Sequence, residues 1–152
     1  GVLLILGVAL GLNNYLVDAR VPERIVDWVT GAIGSKWLFL AALNVLLLAA
    51  GCLLDIFSAT VVLVPLLLPL AAAFGVDPVH LGIVFLVNLE LGYLTPPIGM
   101  NLFFTAARFN RPLPEVFRAA LPLLGVLAPA LVLVTYVPSL STVLPRLLGA
   151  QP

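Results

Sequence analysis

Residues 37–54 and 61–74 are apolar runs separated by Asp55-Ile-Phe-Ser-Ala-Thr60, which sets a carboxylate and two hydroxyls in the middle of a water-avoiding stretch. A helix crosses the roughly 30 Å hydrocarbon core of a bilayer with about 20 residues, and about 17 is the lower limit. The second run has fourteen residues and carries Pro65 and Pro69. Two full crossings fit these lengths poorly. A re-entrant hairpin over residues 37–74 fits better: one arm enters, the chain turns at the polar tip, and the other arm leaves on the same side. Backbone outside a helix is tolerated at membrane depth only where protein or a cavity surrounds it, so the tip is expected to face the working centre.

Composition agrees with a lipid setting. Of 152 residues, 62% are hydrophobic and 9% charged, against about 45–50% and about 25% in a soluble domain. Seven basic and seven acidic residues are too few to clothe a chain of this length in water. The net charge is zero, and no basic cluster exists to hold a nucleic-acid backbone. There is no Ser-His-Asp set, no glycine-rich phosphate loop and no His/Cys cluster, so neither an enzyme nor an organic or transition-metal cofactor is expected. The single cysteine, Cys52, reads as a small buried apolar residue. The single histidine, His80, follows Asp77-Pro78 and reads as solvated or interfacial.

The rest of the chain divides into further spans and connectors. Residues 1–17 read as a transmembrane segment. The chain starts at Gly1 inside this run, without the features of a signal peptide, and reads as part of a longer protein. Residues 18–36 hold six of the fourteen charges. Val21, Ile25, Val26, Trp28 and Val29 fall roughly on one side of a helix begun by Pro22, which predicts an amphipathic segment lying at the interface. After a turn at residues 75–78, Asp77 as N-cap and Pro78 as first helical residue start a helix that runs to about Gly92. Pro96 and Pro97 remove two backbone donors and disfavour helix before them, so residues 78–108 read as one transmembrane helix with an unwound centre at Thr95 to Gly99. Residues 108–118 read as a polar connector. Residues 119–140 read as the last span, interrupted by Pro122 and Pro129, with a short tail containing Arg146 after it.

Asp55 and Glu90 are the acids in apolar surroundings. An ionised side chain at the bilayer centre costs at least about 2.5–3.5 kcal/mol on insertion scales, so such groups face a cavity, a partner or an ion. Asp55 is either a cap on the second arm or an ion ligand, and the two roles are compatible. Glu90 is either a pairing group for a basic residue elsewhere or an assembly group. Around Asp55 the polar set is Ser58, Thr60, Asn88, Thr95 and Asn101. Hydroxyls, amides, a carboxylate and free carbonyls suit Na⁺. Half-helix N-termini suit a carboxylate substrate and C-termini suit a cation. Each hydroxyl alone has the plainer explanation of bonding its own helix.

The strings Gly51-Cys-Leu-Leu-Asp55, Gly75-Val-Asp77-Pro78-Val-His80-Leu-Gly82, Asn88-Leu-Glu90-Leu-Gly92 and Thr95-Pro96-Pro97-Ile-Gly99-Met-Asn101-Leu-Phe103, with Pro65, Pro69, Pro122, Pro138 and Pro145, resemble the large membrane subunit of TRAP transporters. The likeness covers nearly the whole chain and corresponds to the C-terminal third of that subunit. It implies an all-α integral membrane protein, here the second inverted repeat of an elevator-type ion transporter fold. It implies Na⁺ binding at Gly51, Asp55, Ser58, Thr60, Thr95 and Gly99, with substrate at Asn88, Thr95, Pro96, Pro97 and Asn101. Relatives in that superfamily carry Ser-Asn-Thr at the hairpin tip, whereas this chain has Ser58-Ala59-Thr60 and lacks the central amide.

The resemblance further implies a small membrane subunit and a periplasmic substrate-binding protein as partners, a small organic acid such as a C4-dicarboxylate as substrate, Na⁺ as coupling ion, and the bacterial inner membrane as location. Two alternatives stay open: a stand-alone dicarboxylate or Na⁺/H⁺ carrier of the same superfamily, and a non-transporting assembly subunit, which would have no mid-membrane breaks. Arg108, Arg111 and Arg118 equal Arg20, Arg24 and Lys36 of the opposite side in number but lie closer together, and the resemblance puts the hairpin's opening on the periplasmic side, so residues 108–118 are expected on the cytoplasmic side and the C-terminus at Gln151 on the periplasmic side.

Overall fold

In the computed structural model, residues 2–147 are described; Gly1 and residues 148–152, and with them the expectation about Gln151, lie outside. The described residues form eight helices: α1 (Val2–Asp18), α2 (Val21–Ala32), α3 (Lys36–Leu53), α4 (Ile56–Ala73), α5 (Pro78–Tyr93), α6 (Met100–Phe109), α7 (Leu113–Tyr136) and α8 (Pro138–Leu147). The chain is all-helical over this range. Helices α3, α4 and α7 are long and apolar enough to cross a membrane.

Local chemistry sets most boundaries. The Asp77 carboxylate accepts from the Val79 and His80 N–H groups at 2.8 and 3.3 Å, and Pro78 supplies the fixed φ of the first turn. Asp55 caps α4 in the same way. Because that cap starts the helix at Ile56, α4 has 18 residues, as α3 does. Each arm rises about 27 Å, so arm length no longer separates re-entrant arms from full crossings. Pro65 and Pro69 lie inside α4, and Pro122 and Pro129 inside α7, without ending either helix. Helix α7 begins at Leu113, so the polar connector shrinks to residues 110–112, with Asn110 in the left-handed region at φ 50°. The segment expected as a tail is helix α8.

Packing then sets the directions. Lys36 Nζ donates to Gly75 O at 2.6 Å, and the Phe39 and Phe74 rings stack at 4.4 Å. The start of α3 and the end of α4 therefore lie together, and the two helices run antiparallel from a shared tip at Leu54-Asp55. Along its length α3 packs chiefly on α5, while α4 packs on α1 and α2. Helices α5 and α3 run parallel, because α5 also starts beside the Lys36–Gly75 end and its Gly92 meets Gly51. Helix α7 returns antiparallel to α5. At 1.5 Å per residue, α5 and α6 rise about 24 and 15 Å, close to the roughly 36 Å of α7 alone. The break between α5 and α6 thus falls part-way down the long span, at the level of the tip. One core, including Leu40, Leu47, Leu67, Val84 and Leu89, joins α3, α4 and α5.

On α2, Ile25, Val26 and Val29, and Ile33 just after it, pack against this core, but Trp28 does not share their face and is 75% exposed. His80 is not solvated. It is 1% exposed, with Nε2 3.2 Å from Thr135 O and Nδ1 3.1 Å from Ser141 Oγ. A carbonyl only accepts, so Nε2 carries the proton and, in the neutral ring, Ser141 donates to Nδ1.

Candidate functional site where the hairpin tip meets the broken helix

The tip consists of Leu54 and Asp55, both extended, between two long helices. Asp55 Oδ1 accepts from Ser58 N at 2.9 Å and Oδ2 from Ser58 Oγ at 2.6 Å. The plainer role, a helix cap, is therefore fulfilled, and the half-buried carboxylate keeps further lone pairs. Leu54 N bonds Ala50 O, and among the described residues no backbone N–H reaches the Gly51, Cys52 or Leu53 carbonyls.

The break spans residues 94–99. In an unbroken helix the N–H groups of residues 96 and 97 would serve the Gly92 and Tyr93 carbonyls, and proline has none. Thr95 N turns back to Gly92 O at 3.0 Å, and among the described residues Tyr93 O, Leu94 O and Thr95 O receive no backbone donor. Gly99 lies at φ 50°, and a Cβ there would meet Thr95 O at 2.9 Å and Tyr93 O at 3.2 Å. Glycine is thus needed both for the backbone conformation and for the approach of two free carbonyls. Helix α6 then starts with Gly99 O accepting from Leu102 N and Phe103 N, leaving the N–H groups of Met100 and Asn101 at its open N-terminus.

One contact brings these parts together. A Cβ on Gly92 would stand 2.6 Å from Gly51 Cα, and one on Gly51 would stand 3.0 Å from Leu89 Cα. The missing side chains let α3 and α5 cross backbone to backbone, so the carbonyl ends of both helices lie side by side next to Asp55. Two helix C-termini carry partial negative charge, and with a carboxylate they form a cation-attracting corner. Asp55 already occupies the N-terminus of α4, which leaves the N-terminus of α6 as the place for an anion.

The hydroxyls fit the same scheme. Ser58 donates to Asp55, Thr60 to Ile56 O at 2.6 Å and Thr95 to Leu91 O at 2.7 Å. Each proton is used locally, so what each oxygen offers outward is lone pairs, the feature a cation needs. Thr60 is exposed, while Ser58, Thr95 and Asn101 are half-buried. Pro96 and Pro97 turn toward an apolar hollow of about 220 Å³ shared with Leu102, Leu113 and Phe117, so they act on the backbone rather than as polar ligands.

Asn88 does not join this set. It is fully buried and donates to Asn44 Oδ1 at 2.6 Å and Val84 O at 2.7 Å. Asn44 exchanges hydrogen bonds with Thr135 at 3.1 and 3.2 Å, and Thr135 O meets His80. Asn88 thus belongs to a network tying α3, α5, α7 and α8, seven residues or about 10 Å of helix before Thr95. Its amide nitrogen is used within the protein, once toward α3 and once on its own helix, and among the described residues its buried Oδ1 has no partner. Sequence reasoning missed Asn44, Gly92 and Tyr93. A lone amide in residues 37–54 was the available signal for Asn44. Tyr93 is buried with its hydroxyl unpartnered among the described residues, and nothing in the sequence marked it.

Comparison with known proteins decides the family. The family model described as "Tripartite ATP-independent periplasmic transporter, DctM component" matches residues 1–140. The chain belongs to the DctM family. It is 43% identical over 136 residues to the C4-dicarboxylate TRAP transporter large permease protein DctM of Pseudomonas aeruginosa, covering 90% of this chain and 32% of that protein. It is 41% identical over 140 residues to the Vibrio cholerae protein of the same name, covering 92% and 31%. The sialic acid TRAP transporter large permease protein SiaM of Vibrio cholerae is 35% identical over 128 residues, covering 84% and 30%. This DctM chain spans about a third of the length of these relatives, which are named as transporter proteins and not as enzymes.

Proposed function

We propose that this chain forms the ion- and substrate-binding half of the large permease subunit of a Na⁺-coupled secondary transporter for small organic anions. The observation that carries the proposal is the Gly51–Gly92 crossing, which sets Asp55 and the carbonyl ends of α3 and α5 beside the break. In this reading Na⁺ sits among the Asp55 carboxylate, the Ser58, Thr60 and Thr95 hydroxyls and the free carbonyls near Gly51 and Gly99. The substrate carboxylate sits at the N-terminus of α6 near Asn101, where partial positive charge favours it. No organic cofactor takes part.

Helices α3 and α4 act as a re-entrant hairpin and α5–α6 as an unwound span, in the second repeat of an elevator-type fold in the bacterial inner membrane. A small membrane subunit and a periplasmic binding protein complete the system. C4-dicarboxylates are the favoured substrate class, because the relatives at 41–43% identity bear that name.

The test uses the full-length subunit with its partners in proteoliposomes. Labelled succinate uptake driven by a Na⁺ gradient is expected, and its collapse when choline replaces Na⁺. Uptake indifferent to Na⁺ overturns the coupling assignment. Asp55→Asn is expected to abolish the Na⁺ response, and an unchanged response removes Asp55 from the site.

A further inference from the structure

Helix α5 is packed on several sides, against α3, α4, α6, α7 and α8. One stripe of α5 is nonetheless open. Val79, Gly82, Ile83, Leu86 and Glu90 follow one another at helical spacing, and all are exposed. Two of them do not suit a lipid-facing surface. Gly82 lies inside the helix, and a Cβ there would meet nothing within 4 Å. Glycine weakens a helix relative to almost any other residue, and nothing among the described residues needs its missing side chain. Glu90 is a carboxylate on the same apolar stripe, and ionisable groups within membrane segments face a partner or water. Beside Gly82 an apolar hollow of about 180 Å³ opens between α4 and α5, lined by Val64, Leu67, Leu68 and Phe85.

We propose that this stripe is the docking surface for another membrane helix of the same polypeptide, outside residues 1–152, with its backbone against Gly82 and a Lys or Arg against Glu90. Small residues let membrane helices approach closely, which gives Gly82 its reason. Charge complementarity gives Glu90 its reason, since an acyl chain offers a carboxylate nothing. The polypeptide has room for such a helix: this chain matches only 31–32% of the length of its C4-dicarboxylate relatives. Gly82 and Glu90 are eight residues apart, or about 12 Å along the axis. The docked helix therefore carries a small residue and a basic residue about seven or eight positions apart on one face. None of this depends on which ion or substrate the tip binds.

The test is made on the full-length transporter in its membrane. A photo-cross-linking benzoyl-phenylalanine replaces Leu86, and the cross-linked peptides are sequenced by mass spectrometry. The expected product joins position 86 to a peptide of the same polypeptide outside residues 1–152 that contains Lys or Arg, with no increase in subunit mass on a denaturing gel. A lipid adduct, a dimer of this subunit or a link to a separate subunit overturns the proposal. A second variant reads the opposite sign. Gly82→Leu improves helix propensity and raises the thermal midpoint if the stripe faces lipid, but lowers it by several degrees if a backbone lies against it. A raised or unchanged midpoint overturns the docking.

Discussion

Gly51 and Gly92 meet backbone to backbone, with Gly51 Cα and C only 2.6 and 2.7 Å from the place a Gly92 Cβ would occupy. Gly92→Ala should therefore force α3 and α5 apart, at a cost of about 1–3 kcal/mol typical of overpacking. Gly51→Ala, with contacts of 3.0 to 3.1 Å, should be milder. Thermal midpoints of the purified full-length protein measure both. Equal or absent effects would contradict the crossing.

Asp55 has two separable jobs. Asp55→Ala should remove the cap and lower stability by about 1 kcal/mol. Asp55→Asn should keep most of the cap, because an amide oxygen still accepts from Ser58 N. Both should lose Na⁺-dependent uptake. If Asn restored uptake along with stability, Asp55 would be a cap alone.

Thr95→Val deletes an oxygen without changing shape greatly. Its hydroxyl donates only to the local Leu91 O at the end of α5, so stability should change little, while the Na⁺ concentration for half-maximal uptake should rise about tenfold, equivalent to about 1.4 kcal/mol. An unchanged Na⁺ dependence would remove Thr95 from the site.

Asn88 and Asn44 should behave as a structural pair. Asn88→Leu should destabilise by about 1–3 kcal/mol by leaving the half-buried Asn44 with a partner lost. The double variant with Asn44→Leu should cost less than the sum of the single changes. Neither should shift the substrate concentration for half-maximal uptake. A large shift in a stably folded Asn88 variant would return that residue to the substrate site.

Labelling tests the orientation. In a background without Cys52, a cysteine at Asn110 should resist an impermeant thiol reagent in intact cells, and one at Gly34, beside the start of α3, should react. The reverse pattern would invert the assignment based on Arg108, Arg111 and Arg118.

Local chemistry made much of the fold legible in the sequence. A shortage of charge required lipid, Asp77-Pro78 and Asp55 started helices, and Pro96-Pro97 ended one, because each acts through hydrogen bonds within a few residues. Boundaries failed where the local signal was weak. Proline was read as a helix interruption at Pro122 and Pro129, yet α7 runs through both.

The site itself was legible only in part. Asp55, Ser58, Thr95 and Gly99 stood out because their neighbours are apolar or their backbone must unwind. Sequence placed Asn88 with them, and tertiary structure turned its amide nitrogen to Asn44 and Val84 O instead. It likewise buried His80 against α7 and α8 and set Gly51 on Gly92. A helix forms from contacts three and four residues apart, so its sequence suffices to locate it. Which face of it is covered, and which polar group finds a partner there, depends on side chains far along the chain, and only packing brings those together.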